Sequence, residues 1–315
     1  MQEIREISSA LRNNIAMIIK GKEEQIDKII IATLCGGHIL LEDLPGTGKT
    51  TVAKALAKSL DCQFKRIQFT PDLLPTDLIG INFYNQKQGD FVFKEGPIFT
   101  NILLADEINR ATPRTQSSLL ECMEESQVSI DGVTYILEKP FMVIATQNPI
   151  ETQGTFPLPE AQLDRFFMKL SMGYPDKEDE IKVLSNQTRI NPIEQLVPVV
   201  TKEALRKAQE KVKTVKVSDA IKEYIVNISR KTRENEQVKV GLSLRGSLAM
   251  MKAAQAVAVM DGREYVIPDD VKKIAFDVAN HRIVYKHYSV VNNEQMEEKI
   301  FNEIIDKVEV PKETI

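Results

Sequence analysis

The chain has 315 residues, of which 43% are hydrophobic and 27% charged, and a net charge of −4. That length allows two domains, and the composition is ordinary for a globular protein. Acids and bases are spread along the chain, which argues against a dedicated nucleic-acid binder with a basic face.

The N-terminal "MQEIREISSALRNNIAMIIKGKEEQ" mixes polar and apolar residues, so it is no signal peptide, and no run reaches the ~18 apolar residues of a membrane span. Three unevenly spaced cysteines, Cys35, Cys62 and Cys122, fit buried thiols in a reducing compartment, so a cytoplasmic protein is expected.

Ile4, Ile7, Leu11, Ile15 and Ile18 recur at helical spacing, and a second helix is expected from about residue 22 to 35. Short apolar runs follow: "HILLED", "FKRIQFT", "NILLADE", "FMVIATQN" and "FFMKLSM". Separated by helical patterns, they read as strands of a parallel sheet covered on both faces. "TTVAKALAKSL" is the helix after the first strand, and "TPRTQSSLLECMEES" is another, with Thr112 as N-cap and Pro113 at the first helical position.

Two hairpins interrupt this rhythm. "QVSIDGVTYILE" alternates around Asp131-Gly132, which calls for a primed turn. "INFYNQKQGDFVFKEG" reads as a looser hairpin with Ile81 and Phe83 facing Phe91 and Phe93. After "GYPDKEDE" the pattern becomes helical, through "SDAIKEYIVNISRKTRE", "SLRGSLAMMKAAQAVAVMDG", "IPDDVKKIAFDVANHRI" and "NNEQMEEKIFNEIIDKV". The expected division is a nucleotide-binding unit over 1–174 and an all-helical lid over 175–315.

"LLEDLPGTGKT" carries the chemistry. It matches the phosphate-loop pattern except that Asp43 stands at the first glycine's place. Phosphate binding in such a loop rests on backbone N–H groups at the start of a helix, here from Gly46, Thr47, Gly48, Lys49, Thr50 and Thr51, with Pro45 completing the binding loop ahead of them. Lys49 suits the β- and γ-phosphates of ATP, and Thr50 offers a hydroxyl to Mg²⁺. A carboxylate ~4 Å from a phosphate oxygen would cost several kcal/mol, so Asp43 must point away, toward turn N–H groups.

About sixty residues on, "NILLADE" ends in paired acids. Asp106 is placed for the metal, and Glu107 for orienting and deprotonating the attacking water. "FMVIATQNP" presents Asn148, or Gln147, beside them. Gln68, at the second strand's end, is placed to restrain Glu107 or simply to face solvent.

In this order the motifs resemble the MoxR family of AAA+ ATPases over nearly the whole chain. The likeness rests on "GHILLEDLPGTGKT", "FTPDLLPTDLIG", "GPIFTNILLADEINRATPRTQSSLLECMEESQV", "ATQNPIETQGTFPLPEAQLDRFF" and "GREYVIPDDV". The resemblance implies an α/β AAA+ P-loop fold: a parallel-sheet αβα core with hairpin inserts, then a small helical lid. It further implies Asn148 as sensor one, Arg165 as an arginine finger reaching a neighbour's nucleotide, and Arg245 as the sensor-two arginine. Leu244 departs from the family's usual proline before that arginine.

The implied function is ATP-driven, chaperone-like remodelling of protein complexes by a ring, a hexamer in family terms, with partners that include von Willebrand factor A-type domains. Alternatives are a magnesium-chelatase-like motor subunit and a nucleotide-gated scaffold that hydrolyses little. A DNA-acting motor is disfavoured because neither hairpin carries a basic cluster with stacking aromatics.

Overall fold

The computed structural model describes residues 1–44, 46–149, 154–186, 192–286 and 294–311, without the side chains of 182–186. Pro45, from the phosphate loop, and residues 150–153, from the string after Asn148, lie outside the described residues.

All five apolar runs become strands of one parallel sheet, in the order Phe64–Gln68, Ile102–Asp106, Met142–Gln147, Ile39–Glu42, Met168–Leu170. Side chains alternate across a strand, and the two faces feed two separate cores. Ile39, Leu41, Ile102, Leu104, Ile144 and Met168 point to one core, while Leu40, Leu103, Ala105, Val143 and Ala145 point to the other.

The first core runs on through the helices Gln2–Ala16, Glu23–Leu34 and Lys49–Ser59 into the C-terminal helices, and it buries Tyr224, Val257 and Phe301. Full burial of one such side chain contributes about 1.5–3 kcal/mol, so this continuous packing joins sheet and lid strongly. Lys28 of the second helix adds an ion pair to Asp277 in the lid helix Pro268–Ala279, at 2.9 Å. The opposite face is covered by the helix Pro113–Glu125, through Leu119, Leu120 and Met123.

Thr112 does cap that helix by position, with Pro113 at its first turn, but its hydroxyl makes no cap hydrogen bond. It lies 3.4 Å from the Thr115 hydroxyl instead, which in turn donates to the Leu73 carbonyl. Tertiary contact has replaced the local cap.

The hairpin over 127–136 closes as its sequence requires, with Asp131 and Gly132 both at positive φ (49° and 80°). The other hairpin pairs Gly80–Asn85 with Asp90–Glu95, but one step from the expected register. Phe83 faces Val92 and Tyr84 faces Phe91, so Ile81 and Phe83 lie on the face opposite Phe91 and Phe93. The hairpin closes at Asn85–Asp90, and that turn sets the register.

The two hairpins are joined. Phe93 stacks on Tyr135 with ring centroids 4.4 Å apart, and Asn82 donates to Asp131 at 2.7 Å.

Among the described residues the lid departs from the all-helical expectation by an antiparallel pair, Val238–Val240 with Val284–Tyr285, and by an isolated bridge between Lys216 and Tyr265. Segments of two or three residues carry no readable periodicity. Its helices otherwise start where their caps stand: Ser218 accepts from the Ile221 N–H and Ser243 from the Gly246 N–H. Leu244, in place of proline, therefore leaves the cap before Arg245 intact. Among the described residues no helix is long and apolar enough to cross a membrane.

Candidate nucleotide-binding site

A cleft of about 360 Å³ lies at the carboxyl ends of the strands, lined by Gly46, Gly48, Lys49, Thr50, Thr51, Asp106, Glu107 and Asn148. This is where open α/β sheets bind ligands. Thr47, between the two glycines, turns its hydroxyl back to the Leu44 carbonyl at 3.2 Å.

Gly46 and Gly48 hold φ near +87° and +86°, and a Cβ on either would meet nothing within 4 Å. Glycine is therefore required there by backbone angle and not by crowding, and the loop's N–H groups stay approachable for a phosphate. Gly48 caps the helix Lys49–Ser59, whose Ala53, Ala55 and Ala57 are fully buried and keep the helix close.

Lys49 donates to the carbonyls of Asp43 and Leu44, at 2.7 and 3.3 Å. Burial lowers its pKa, against the pull of Asp43, Asp106 and Glu107. An ammonium so placed is short of strong acceptors and ready for an anion.

Asp43 points away from the cleft, as the charge argument demanded. Its carboxylate accepts from the Met172 N–H at 2.6 Å, the Gly173 N–H at 3.0 Å and the Ser171 hydroxyl at 2.8 Å. The donors belong to the chain leaving the last strand, so Asp43 ties the loop's entrance to the segment that leads into the lid.

Two acids and a threonine form the cleft's other wall. Thr146 donates to Asp106 Oδ1 at 2.6 Å and accepts the Glu107 N–H at 2.9 Å. That bond helps hold Glu107 in the left-handed region (φ 57°, ψ 50°), a conformation costing about 1–3 kcal/mol for a non-glycine residue. Arg66 donates to Asp106 Oδ2 from Nε and Nη2, at 3.1 and 2.6 Å. The same Nη2 donates to Gln68, and Gln68 Nε2 donates to Glu107 Oε2 at 2.6 Å. Arg110 lies 3.0 Å from the same oxygen. Both readings open for Gln68 agree with its placement: it is exposed at the strand end and it contacts Glu107. Asn148 is buried and lines the cleft, whereas Gln147, one residue earlier, gives its carbonyl to the Asp43 N–H.

Arg165 and Arg245 are absent from this wall. Both meet Glu124, at the end of the helix Pro113–Glu125: Arg165 Nε lies 3.1 Å from Oε2, and Arg245 Nη2 donates to Oε1. Arg245 also lies 3.9 Å from Asp164, which accepts from the buried Arg282 at 2.7 Å. Sequence reasoning missed Arg66, Thr146, Glu124 and Asp164. Thr146 and Arg66 carried a faint signal, as polar side chains inside apolar runs; Glu124 and Asp164 carried none.

The donor set fits a nucleoside triphosphate with its metal. Among the described residues no group of three His, Cys, Asp or Glu side chains could hold a metal ion alone. Mg²⁺ is commonly bound by one or two protein oxygens together with substrate phosphates, and Thr50 and Asp106 offer that arrangement.

Residues 38–168 match the family described as "ATPase family associated with various cellular activities (AAA)", and residues 230–304 match the "AAA lid domain". The chain is 51% identical to the Bacillus subtilis (strain 168) protein YeaC over 95% of this chain and 93% of that one. It is 40% identical to Chaperone MoxR1 of Mycobacterium tuberculosis over 93% of this chain and 80% of that relative. A crystal structure from Cytophaga hutchinsonii ATCC 33406, of a protein assigned as an ATPase, superposes with a TM-score of 0.85 at 39% identity, covering 99% of both chains. With a named chaperone aligned along most of its length, and both AAA units recognised in order, the chain belongs to the MoxR family of AAA+ ATPases.

Proposed function

We propose that this protein hydrolyses ATP and uses the cycle to remodel protein complexes, working as a hexameric ring. The observation that carries the reading is the convergence of Lys49, Thr50, Asp106, Glu107 and Asn148 on one cleft. Lys49 and the loop N–H groups bind the phosphates, and Thr50 and Asp106 would hold Mg²⁺, which would supply positive charge to offset that of the phosphates. Glu107 accepts the attacking water's proton, Asn148 orients that water, and Gln68 restrains Glu107 between turnovers.

Arg165 acts on the nucleotide of a neighbouring subunit. Arg245 sits beside it at Glu124 and acts from the same side. The joined hairpins, with Tyr84 and Phe91 exposed, grip protein clients, including those with von Willebrand factor A-type domains. Three unpaired cysteines support a cytoplasmic setting. We divide the chain functionally at Tyr174, just past the last sheet strand, into a nucleotide-binding unit over 1–174 and a lid over 175–315.

Two variants test the core of this reading. Lys49→Ala should lose ATP binding by at least about a hundredfold, roughly 2.8 kcal/mol. Glu107→Gln should keep binding and lose turnover by about 10²–10⁴-fold, the usual reach of general-base catalysis. Equilibrium binding and single-turnover hydrolysis measure both. Wild-type turnover in Glu107→Gln would remove the base from Glu107. Binding without turnover in the wild type would leave a nucleotide-gated scaffold.

A further inference from the structure

We propose that Glu124 is the positioning residue for Arg165 and Arg245, one carboxylate setting both guanidinium groups in the orientation from which they act on a neighbouring subunit's nucleotide. The inference rests on the ring-ATPase reading above and goes beyond it by assigning a role to a residue outside the cleft.

The geometry is a fork. Arg165 comes from the turn after the helix Glu160–Leu163, and Arg245 from the first turn of the helix Leu244–Met260. They are eighty residues apart in sequence, and each takes a different oxygen of Glu124. Two guanidinium groups this close repel unless a carboxylate lies between them. Each also carries about 2 kcal/mol of rotamer entropy when unrestrained. Glu124 answers the first problem and offsets part of the second.

Helix stability does not explain a carboxylate here, since a negative charge in the last turn opposes the helix dipole by about 0.3–1 kcal/mol. The helix end is itself pinned. His38 Nδ1 accepts the Val143 N–H at 2.9 Å, which leaves its Nε2–H to donate to the Met123 carbonyl at 3.0 Å, one residue before Glu124. The fork is therefore fixed to the central sheet.

The side chains are 30% (Arg165), 48% (Arg245) and 36% (Glu124) exposed. Pairs this exposed contribute at most about 1 kcal/mol. Such a pair is too weak to withhold an arginine from a phosphate, yet strong enough to select its rotamer. Placement of a reacting partner governs rate far more than it governs stability.

The test compares Glu124→Ala and Glu124→Gln with wild type at concentrations where sedimentation shows assembled rings. Glu124→Ala should lower kcat by about 10–100-fold. Its ATP affinity, read with the non-hydrolysed analogue AMP-PNP, should stay within about twofold, because Glu124 does not line the cleft. Glu124→Gln keeps one acceptor oxygen and should fall between the two; it carries the test if the alanine variant assembles poorly.

A purely structural role is separated by a cycle: adding Glu124→Ala to the Arg165→Ala/Arg245→Ala double variant should cost nothing further. An equal loss in both backgrounds overturns the proposal, as does a wild-type or raised rate in Glu124→Ala while Arg165→Ala is slow. If Arg165→Ala itself hydrolyses normally, the reading of the arginine fails, and the proposal with it.

Discussion

The nucleotide cleft and the arginine fork are built in opposite ways. The cleft takes its groups from adjacent strand ends of one sheet, where backbone register decides position: Gln68 pairs with Asp106, Leu41 with Thr146 and Glu42 with Gln147. The fork takes long side chains from a short turn and a lid helix and gathers them on one helix end. One region is complete within the chain, with its hydrogen bonds closed around Thr146, Arg66 and Gln68. The other presents charge at the surface and away from the nucleotide loop. On the proposed reading the difference separates binding, which one chain performs, from full hydrolysis, which takes two.

The largest expected effect tests that separation. Arg165→Ala should bind ATP as wild type does and hydrolyse it about 10³-fold more slowly, at the lower end of what arginine fingers supply. Mixed with Lys49→Ala, which cannot hold ATP yet still offers its arginine, it should recover part of the activity in verified mixed rings. Normal hydrolysis by Arg165→Ala alone, with no gain on mixing, would erase the contrast between the two regions. Within its own subunit Arg165 pairs with Glu124, its Nε 3.1 Å from Oε2.

A smaller effect concerns the cleft's entrance. Asp43→Gly should change ATP affinity by no more than about tenfold, because the carboxylate faces residues 171–173. It should lower stability by about 2–4 kcal/mol, since charge-assisted hydrogen bonds vanish and donors are left unpaired. Urea unfolding and nucleotide titration separate the two outcomes. A gain of several kcal/mol in ATP binding would mean that the carboxylate reaches the phosphates.

The smallest effect sharpens the link between sheet and fork. Burial lowers the His38 pKa from 6.5 to about 4, with the Met123 hydrogen bond resisting. A depressed folded-state pKa gives stability that is present above the unfolded value of 6.5 and lost as pH falls toward 4. The total over that window is about 3 kcal/mol. Protonation would also cost Nδ1 its acceptor role toward Val143. Glutamine can keep both hydrogen bonds without titrating. His38→Gln should therefore show a stability–pH slope flatter by about 1 kcal/mol per pH unit between 6.5 and 4. An unchanged slope in urea midpoints would place the acid sensitivity elsewhere.

The sequence by itself determined the local elements and the groups that sit at their ends. Five apolar runs were strands because short segments covered on both faces need apolar residues at successive positions. Asp131-Gly132 was a primed turn because its backbone angles admit few residues. Lys49 and Thr50 were legible because they open the helix after the phosphate loop, and Asp106 and Glu107 because they stand at a strand's exit. Asp43 was legible through charge alone: Coulomb repulsion excluded the phosphates, but nothing local named residues 171–173 as its partners. Only the tertiary structure decided which distant groups meet. The strand order brings Arg66 and Thr146 to Asp106 from either side, and the packing of helix end, turn and lid brings Glu124 to two arginines. It also paired Val238–Val240 with Val284–Tyr285 across more than forty residues. Periodicity reports whether a residue is buried; it carries no information about what covers it, because that depends on chain segments whose separation in sequence has no fixed relation to distance in space.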